Sequence, residues 1–483
     1  MKQYELVIGL EVHCQLATKT KLFCGCATDG FGSTPNSRVC PVCTAQPGAL
    51  PVLNRRAVEL AFQAALALDC RLSEQSIFSR KNYFYPDLPK AYQISQYDQP
   101  FSKHGKLAVA VGGLTKTIGI TRIHMEEDAG KLVHDLGGTQ LDGSLVDLNR
   151  AGVPLIEIVT EPDMRSSDEA YAYLTALKEV IQFTGASRCD MEKGEMRCDA
   201  NVSIRPAGQK EFGVRTETKN LNSFKNVKDA IEYEFRRQVE LVESGGKVVQ
   251  ETRLWNVEKQ ITVPMRSKED AHDYRYFPDP DLVPLVADAK WVAGLKAALA
   301  EMPAVKRARF MADLGLSSYD AEVLTSDKSL ADYFEKAVAA APAGSAKTVS
   351  NLLTTEMLGR LNAEGKTVAQ SPVAAGHLGR LAELVAGGTL SSKGAKDVFA
   401  KMWETGKDPK ALVDSLGLSQ VSDDKQILEW VKQALAANPK AAADLKAGKQ
   451  AAIGRVVGDV MKRSQGKANP ALVHKLIQET VKA

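Results

Sequence analysis

Five short stretches of this chain alternate between apolar and polar residues, which is the pattern of β-strands with one buried face and one open face. In residues 10–16 the even-numbered positions are apolar, and the odd-numbered positions are Glu11, His13 and Gln15. The polar positions of the other four stretches are Arg122, His124, Glu126 and Asp128; Glu157 and Glu161; Arg197, Asp199, Asn201, Ser203 and Arg205; and Arg215, Glu217 and Lys219. The alternation predicts a sheet whose apolar face covers a core and whose polar face is available for chemistry.

The polar faces combine acids, amides, histidine and arginine, which suits a site for a divalent cation and phosphates. Proteins usually hold Mg²⁺ with one or two carboxylates plus substrate phosphates. Basic side chains on the same face can neutralise phosphoryl oxygens, and closely spaced acids repel one another unless a cation lies between them. Any single strand fits an ordinary solvated face, but the five together favour the cation and phosphate interpretation.

Composition places the chain among ordinary globular proteins. Its 483 residues suggest about three domains, and 44% hydrophobic with 25% charged residues is the usual balance. No apolar run reaches the ~18 residues of a membrane helix, and the first residues enter a strand directly, so we expect no signal peptide and a cytoplasmic location. Eight cysteines in a chain of this length do not indicate a disulfide scaffold.

The chain is expected to be α+β, with an antiparallel-sheet catalytic domain at 1–292. Two helices interrupt its strands: one begins at a capping box at Ser166 and ends at Gly185, and the other runs from Ser223 to Ser244. No dinucleotide-binding or P-loop glycine motif is present. Residues 293–404 are predicted to form an all-helical domain and 405–483 a helical tail domain, with a linker at 403–409.

The tail is more basic than the rest of the chain. It holds thirteen Lys/Arg against eight Asp/Glu, so its charge is +5 within a chain whose net charge is +3. Apolar residues follow a helical stripe from Ile453 to Met461, and basic residues occupy the other faces. The candidate nucleic-acid contacts are Lys446, Lys449, Arg455, Lys462 and Arg463; a solvated helix face is the alternative.

Two close cysteine pairs, Cys24/Cys26 and Cys40/Cys43, are separated by thirteen residues. This spacing, in a loop rich in Gly and Pro, predicts a structural zinc site with four thiolate ligands and no open position for catalysis. Four unligated reduced cysteines in a loop are the alternative. Cys14, Cys70, Cys189 and Cys198 are expected to be core residues.

Several longer motifs are too specific for generic loops. They are IGLEVH at 8–13, RKNYFYPDLPKAYQ at 80–93, HMEED at 124–128, MRCDAN at 196–201, KNLNS at 219–223, DYRYFP at 273–278 and GKANP at 466–470. With these motifs the chain resembles, essentially end to end, the B subunits of bacterial glutamyl/aspartyl-tRNA amidotransferases.

This resemblance implies a kinase subunit that uses ATP and Mg²⁺ to phosphorylate the side-chain carboxylate of Glu-tRNA(Gln) or Asp-tRNA(Asn). Ammonia from glutamine, made on an A subunit, then displaces the phosphate, and a small C subunit completes a heterotrimer. The resemblance also implies that the first domain is similar to the glutamine synthetase sheet, and that the tail domain binds tRNA. An acyl phosphate fits the polar sheet, because phosphoryl transfer needs mainly positioning and charge neutralisation.

The resemblance also assigns roles to residues of this chain. The Mg²⁺ set, bound directly or through water, is Glu11, His13, Glu126 and Glu157. His13 is unusual for Mg²⁺ and can instead orient a water or a carboxylate. The second-cation pair is Asp199 and Glu217, and the phosphate-binding residues are Lys81, Arg205 and Lys219. The aromatic cluster of Tyr83, Phe84 and Tyr85 belongs either to core packing or to a wall that stacks on adenine or the tRNA 3′ end.

Three other functions also fit parts of the sequence. A tRNA-binding scaffold without an active site explains the basic tail but gives the acidic strands no role. A self-contained ligase lacks a convincing nucleophile–base set, because the Gly- and Ser-rich segment 387–393 fits an interhelical turn. An archaeal-type relative carries an extra insertion near the end of the first domain, whereas here 278–282 passes directly into the helical region.

Overall fold

The computed structural model describes residues 4–267, 274–418, 424–446, 449–464 and 468–482. Asp273 of the DYRYFP motif, and Gly466 and Lys467 of the GKANP motif, lie outside the described residues. The chain divides into two compact units, with the boundary between Met302 and Pro303.

Within the described ranges, the strands belong to the first unit. They are β1 (Tyr4–Gln15), β2 (Arg71–Leu72), β3 (Gln75–Ser76), β4 (Ser79–Asn82), β5 (Tyr92–Ser95), β6 (Ser102–Val111), β7 (Leu114–Glu127), β8 (Lys131–Leu136), β9 (Thr139–Asp147), β10 (Pro154–Thr160), β11 (Met196–Pro206), β12 (Thr216–Leu221), β13 (Glu251–Asn256), β14 (Ile261–Ser267), β15 (Phe277–Pro278) and β16 (Leu285–Val286).

The helices of the first unit are α1 (Arg55–Ala67), α2 (Ser167–Thr184), α3 (Phe224–Glu243) and α4 (Ala289–Ala297). Those of the second unit are α5 (Pro303–Leu314), α6 (Ser318–Leu324), α7 (Lys328–Ala339), α8 (Ala346–Asn351), α9 (Leu358–Ala363), α10 (Ala375–Ala386), α11 (Ser392–Thr405), α12 (Pro409–Leu416), α13 (Asp424–Ala437), α14 (Pro439–Lys446), α15 (Ile453–Arg463) and α16 (Pro470–Lys482). A π-helical segment, Leu352–Met357, joins α8 to α9.

Among the described residues, nine strands form the main sheet in the order β14-β13-β12-β11-β1-β10-β7-β6-β2. Every neighbouring pair is antiparallel except β12 and β13, which are parallel. The five stretches with alternating sequence become β1, β7, β10, β11 and β12, and they are consecutive neighbours in this sheet. The prediction of an α+β chain with a large antiparallel sheet is therefore confirmed.

The alternation sorts the two faces as expected. The even-numbered residues Leu10, Val12 and Cys14 of β1 are buried, and they belong to one apolar cluster with residues of α1, α2 and α3. Helix α2 has the predicted ends: the hydroxyl of Ser166 accepts from the Glu169 amide, and Gly185 closes the helix in the left-handed conformation at φ 72°. Burying one face of the sheet leaves the other face free for the polar side chains.

A β-bulge changes the alternation within β7. Before it the core residues are Ile118 and Ile120, and after it they are Ile123 and Met125. The ladder with β10 shifts at this point, since Val159 pairs with Arg122 and the next residue pairs with Ile120. An extra residue on one strand reverses which positions face the core. Ile120 is even-numbered, like the polar residues that follow it in β7. The bulge explains why Ile120 is nevertheless buried.

The second unit is helical and holds two separate buried clusters. One extends from Phe310 to Val413, and the other from Ile427 to Ile477. In the second of these, Val456 and Val460 of α15 are fully buried, which confirms the predicted stripe. Residues of α12 pack in the first cluster, and position 405 is the last residue of α11, a helix that contacts α12. The division at 292 and 404 stays a prediction.

One buried carboxylate connects helix α3 to three strands at the edge of the main sheet. The Glu234 side chain has no exposed surface. It accepts hydrogen bonds from Thr216 of β12 at 2.9 Å and from Arg237 of α3 at 2.7 Å, and it pairs with Arg253 of β13 at 3.1 Å. The hydroxyl of Thr262, in β14, donates to it as well. Burial raises the pKa of Glu234, but these partners outweigh burial and lower the pKa below its ordinary value.

We predict that Glu234→Gln lowers the free energy of unfolding of the first unit by about 3 kcal/mol, because it removes the fully buried carboxylate that Arg237 and Arg253 share and leaves them only their weaker or outer pairing with Glu251. Urea unfolding followed by circular dichroism and by the fluorescence of the buried Trp255 measures the loss. Glu240→Gln, at an exposed position of the same helix, is the control. Since the folded-state pKa is lowered, this stabilisation is present above the ordinary carboxyl range and is lost as pH falls below it. Equal effects of the two substitutions would contradict the prediction.

Candidate active site

His13, Glu126 and Glu157 come together on the polar face, at the centre of the sheet. Antiparallel pairing places His13 of β1 opposite Glu157 of β10, and Glu157 opposite His124 of β7. His13 Nε2 lies 3.5 Å from Glu126 Oε1 and 3.4 Å from Glu157 Oε2, and His124 Nε2 lies 3.3 Å from the same Glu157 oxygen. Two imidazoles therefore flank one carboxylate.

The charges in this cluster reinforce one another. Burial disfavours the charged form of each group, but the opposite charges outweigh it. They raise the pKa of His124 to about 9, raise that of His13, and hold that of Glu157 well below its ordinary range. The cluster thus favours ionised carboxylates next to cations.

The same atoms are also able to hold a metal ion. One ligand atom from each of His13, Glu126 and Glu157 lies within 4.8 Å of the others. Two carboxylates and one imidazole on a half-open face suit a divalent cation that keeps some of its waters. This set contains three of the four residues predicted for Mg²⁺.

Glu11, the fourth residue predicted for Mg²⁺, lies beside this group rather than in it. Its carboxylate accepts a hydrogen bond from Asn201 at 3.0 Å. Burial raises the pKa of Glu11, and so do the nearby charges of Glu157 and Glu217. Glu11 therefore lies between the His13 cluster and the acids of the neighbouring strands.

The predicted second-cation pair already has a cation from the chain. Lys219 Nζ lies 2.6 Å from Asp199 Oδ2 and 2.9 Å from Glu217 Oε1. Burial lowers the pKa of Lys219, but these two carboxylates raise it above its ordinary value overall. The lysine predicted to bind phosphate thus bridges the two acids predicted to bind a second cation.

Arg205 lies apart from the other residues predicted to bind cations and phosphates. It pairs with Glu5 at 2.5 Å and donates to the backbone carbonyl of Lys210 at 2.9 Å. Six residues along β11 separate it from Asp199, which is about 20 Å at the rise of a strand. Its phosphate role stays a prediction that these contacts do not support.

Tyrosines border the acidic cluster. Lys81 of β4 places its ammonium 4.8 Å from the ring centre of Tyr274 and 5.8 Å from that of Tyr83. Tyr276 stacks on Tyr97 with 4.2 Å between ring centres. Burial is the main cause of the raised pKa of Tyr83 and of Tyr276, and Glu126 is the next cause for both, so these rings lie near the cluster.

The two residues after Tyr83 do not pack in a core. The exposed fractions of Phe84 and Tyr85 are 82% and 54%. Core packing is therefore wrong for these two aromatic residues. An exposed aromatic surface next to a polar site fits the alternative of a stacking wall.

Sequence reasoning missed some residues at this site. His124 was on the predicted polar face and in a specific motif, but only the strand register shows that it contacts Glu157. Lys90 forms an ion pair with Glu127, whose carboxylate also accepts from the Ile94 amide at 2.9 Å. No local pattern indicates that pair, because it joins segments more than thirty residues apart.

The four predicted zinc ligands form a second cluster. The sulfurs of Cys24, Cys26, Cys40 and Cys43 lie within 4.8 Å of one another. The hydrogen bond from Cys24 is the main cause that lowers the pKa of Cys43, to about 4, and the Cys40 amide and Lys21 act in the same direction. Cys14, Cys70, Cys189 and Cys198 are buried free thiols, as predicted.

The basic residues of the tail are on the surface of the second unit. Lys446, Lys449, Arg455, Lys462 and Arg463 are all exposed. Lys449 pairs with Asp444 at 3.0 Å and Arg463 with Asp459 at 3.2 Å. On α15, Arg455 and Lys462 are seven residues apart and so share a helix face. No helix in the described part of the chain has both the length and the apolar composition that crossing a bilayer requires.

Comparison with known proteins assigns both units to one family. Residues 6–293 match the family model described as the GatB/GatE catalytic domain, and residues 332–481 match the model described as the GatB domain.

Similar proteins cover the full length, and each of them is named as the B subunit of an aspartyl/glutamyl-tRNA(Asn/Gln) amidotransferase. One, from Carboxydothermus hydrogenoformans, is 53% identical over 479 residues and covers 99% of each chain. Another, from Geobacter sulfurreducens, is 54% identical over 481 residues with the same coverage. A third, from Brevibacillus brevis, is 52% identical over 482 residues, covering 100% of this chain and 99% of the relative.

We predict that Lys219→Met lowers the free energy of unfolding by roughly 1 kcal/mol at neutral pH, because two neighbouring carboxylates lose their shared cation on a partly exposed face. Thermal and urea unfolding measure the change. Lys210→Met, at an exposed lysine, is the matched control. The difference between the variants should shrink as pH falls through the carboxyl range, since protonated acids no longer repel one another. A difference that does not vary with pH would contradict this electrostatic account.

Proposed function

Because the chain belongs to the family of aspartyl/glutamyl-tRNA(Asn/Gln) amidotransferase B subunits, we propose that it is the ATP-dependent kinase subunit of such a ligase. It transfers the γ-phosphoryl group of ATP to the side-chain carboxylate of Glu-tRNA(Gln), Asp-tRNA(Asn) or both. Ammonia then attacks the acyl carbon and phosphate leaves, which gives the amide on the tRNA.

The observation that carries this proposal is the group of His13, Glu126 and Glu157 on the polar face of the sheet. Its donor set of two carboxylates and one imidazole fits Mg²⁺ that also binds substrate phosphates. Glu126 and Glu157 are the direct ligands in this proposal, and His13 and Glu11 act directly or through water. Bound Mg²⁺ would neutralise charge on the phosphates during transfer.

Neighbouring residues position the substrates in this proposal. Lys81 lies between tyrosine rings with its charge available for phosphate, and Tyr83 belongs to the wall that stacks on a base. A cavity of about 1450 Å³ borders one part of the polar face, at Gln15, Arg197 and Asp199, and its lining does not include His13, Glu126 or Glu157. Such a volume accommodates the end of a tRNA together with its amino acid.

The second acidic pair needs one additional step. For Asp199 and Glu217 to hold a second cation, that ion must replace the ammonium of Lys219. Lys219 is then free to contact a phosphate, so one movement serves both predicted roles. Without the second cation, Lys219 stays between Asp199 and Glu217 and neutralises their charges.

Further proposals concern architecture and partners. The first domain is similar to the glutamine synthetase sheet, and its cysteine cluster binds a structural zinc. The chain works in the cytoplasm, in a heterotrimer with an amidase A subunit that releases ammonia and a small C subunit. The tail domain contacts tRNA phosphates through the exposed face of α15.

The test of the kinase assignment is Glu126→Gln in the chain co-expressed with its partner subunits. Ammonium chloride replaces glutamine, so the glutaminase is not needed. We expect tRNA-dependent ATP cleavage and amide formation to fall by roughly 10²-fold or more, as when one electrostatic group is removed from a transition state. Both are measured with Glu-tRNA(Gln).

Glu59→Gln is the control, since Glu59 lies on α1 and pairs with Arg55 and Arg56. It should leave both activities unchanged. If turnover survives in the Glu126 variant, the chemistry is elsewhere, and the interpretation as a tRNA-binding scaffold becomes the better one.

The tail assignment is tested by Arg455→Glu combined with Lys462→Glu. We expect weaker tRNA binding, and a log–log salt slope that is less steep by about 1 for each lost phosphate contact. Binding is measured by filter retention at several salt concentrations. The control is Lys366→Glu with Lys393→Glu, which changes the charge equally at exposed positions of the second unit. The same loss in both double variants would point to net charge rather than to this helix face.

A further inference from the structure

Lys21 is a buried cation next to the cysteine cluster. Its relative exposure is 0%, although lysine is rarely fully buried unless it is paired. Its ammonium donates to the carbonyl of Arg38 at 2.7 Å and to that of Leu148 at 3.4 Å, and it lies 3.5 Å from the sulfur of Cys43. Its partners are thus two carbonyl dipoles and one sulfur.

No carboxylate within the described ranges forms an ion pair with Lys21. Glu127 lines the same cavity of about 250 Å³, but it pairs with Lys90. A buried charge is costly unless an opposite charge and hydrogen bonds compensate it. The cysteine cluster is therefore the anion that the surroundings of Lys21 offer.

The geometry of the four sulfurs fits zinc. A tetrahedral site with zinc–sulfur bonds of about 2.3 Å has sulfur–sulfur edges of about 3.8 Å. The sulfurs of Cys40 and Cys43 are 3.9 Å apart, and the Cys40 amide donates to Cys43 Sγ at 3.2 Å. Ligating cysteines are deprotonated, so four of them around Zn²⁺ carry a net charge of about −2.

We propose that Lys21 is the internal counter-charge of this metal centre, and that its ammonium, bound to Cys43, retains the zinc. This inference rests on the proposed zinc site. Lys21 acts through a ligand and is therefore a positioning residue. Its two carbonyl bonds fix the ammonium against Cys43, because they hold it to the cysteine loop at Arg38 and to the segment before β10 at Leu148.

The location of Lys21 also explains why a side-chain carboxylate is not needed there. A carboxylate close to four thiolates would add negative charge to an already negative centre. Carbonyl oxygens satisfy the remaining ammonium protons without adding net charge. The positive charge is then left to balance the thiolates.

Three variants of the full-length chain test this inference: Lys21→Met, Lys21→Arg and, as a control, Lys19→Met at an exposed lysine two residues away. Each is loaded with zinc, assayed for zinc content, and followed for zinc release to a chelator. We expect Lys21→Met to release zinc roughly tenfold faster or more, since partners of metal ligands typically affect affinity by 10–100-fold. Lys19→Met should match the wild type.

Lys21→Arg separates charge from packing. Methionine is close to lysine in shape but lacks the charge, whereas arginine is larger and keeps it. A counter-charge role therefore predicts that the Arg variant retains zinc better than the Met variant, and a packing role predicts the reverse order. If the Met variant fails to fold, the Arg variant is compared with the wild type: zinc retained as in the wild type supports the counter-charge role, and zinc lost much faster contradicts it.

Cobalt provides a spectroscopic readout that does not depend on activity. In the Co²⁺-loaded protein, the thiolate-to-metal charge-transfer band should shift in Lys21→Met but not in Lys19→Met. If Lys21→Met retains zinc as the control does, or if Lys21→Arg loses it faster than Lys21→Met, the counter-charge role is wrong. If the wild type itself binds no zinc, the proposed zinc site fails, which is a distinguishable outcome.

Discussion

The pairing of β1 between β10 and β11 is the constraint on which the rest of the first unit depends. In this register His13 lies opposite Glu157 on one side and opposite Arg197 on the other, while Val12 and Cys14 point into the core. A slip of one residue would exchange the two faces of the strand. The core and the candidate active site are therefore specified together, because the apolar residues that hold the register also fix the polar ones.

Buried charge is handled in the same way at three places in this unit. Glu157 lies between two imidazoles, the ammonium of Lys219 lies between two carboxylates, and Lys21 lies against the sulfur of Cys43. In each case the chain supplies an opposite charge at hydrogen-bond range, which a partly buried site requires. At the first two places an external cation would have to compete with a group of the protein.

Local sequence pattern predicted the faces of the strands but not their relations in space. Alternation indicated that Glu11, His13 and Glu126 share an open face, because side-chain direction follows from the parity of positions alone. It did not show that His13 contacts Glu157 while Glu11 turns to Asn201, nor that Arg205 lies near Glu5, since pairing between distant segments sets these contacts. The sequence of β7 did not indicate the bulge either, because one extra residue does not change the type of residues in the strand. Specific motifs, rather than periodicity, pointed to Lys81 and Tyr83.

The cysteine loop and the candidate active site are linked through the segment before β10. Asn149 donates to the carbonyl of Thr34 and accepts from the amide of Arg38, both within the loop, and the amide of Gly152 donates to the carbonyl of Asp128 at the end of β7. The segment that leads into β10 is thus held by the loop on one side and by the strand of Glu126 on the other. A closed four-thiolate site has no position for substrate, but it fixes the loop that supports this segment. With zinc bound as proposed, the cysteine loop would act on the candidate active site through the position of β10, and so of Glu157, rather than through chemistry of its own.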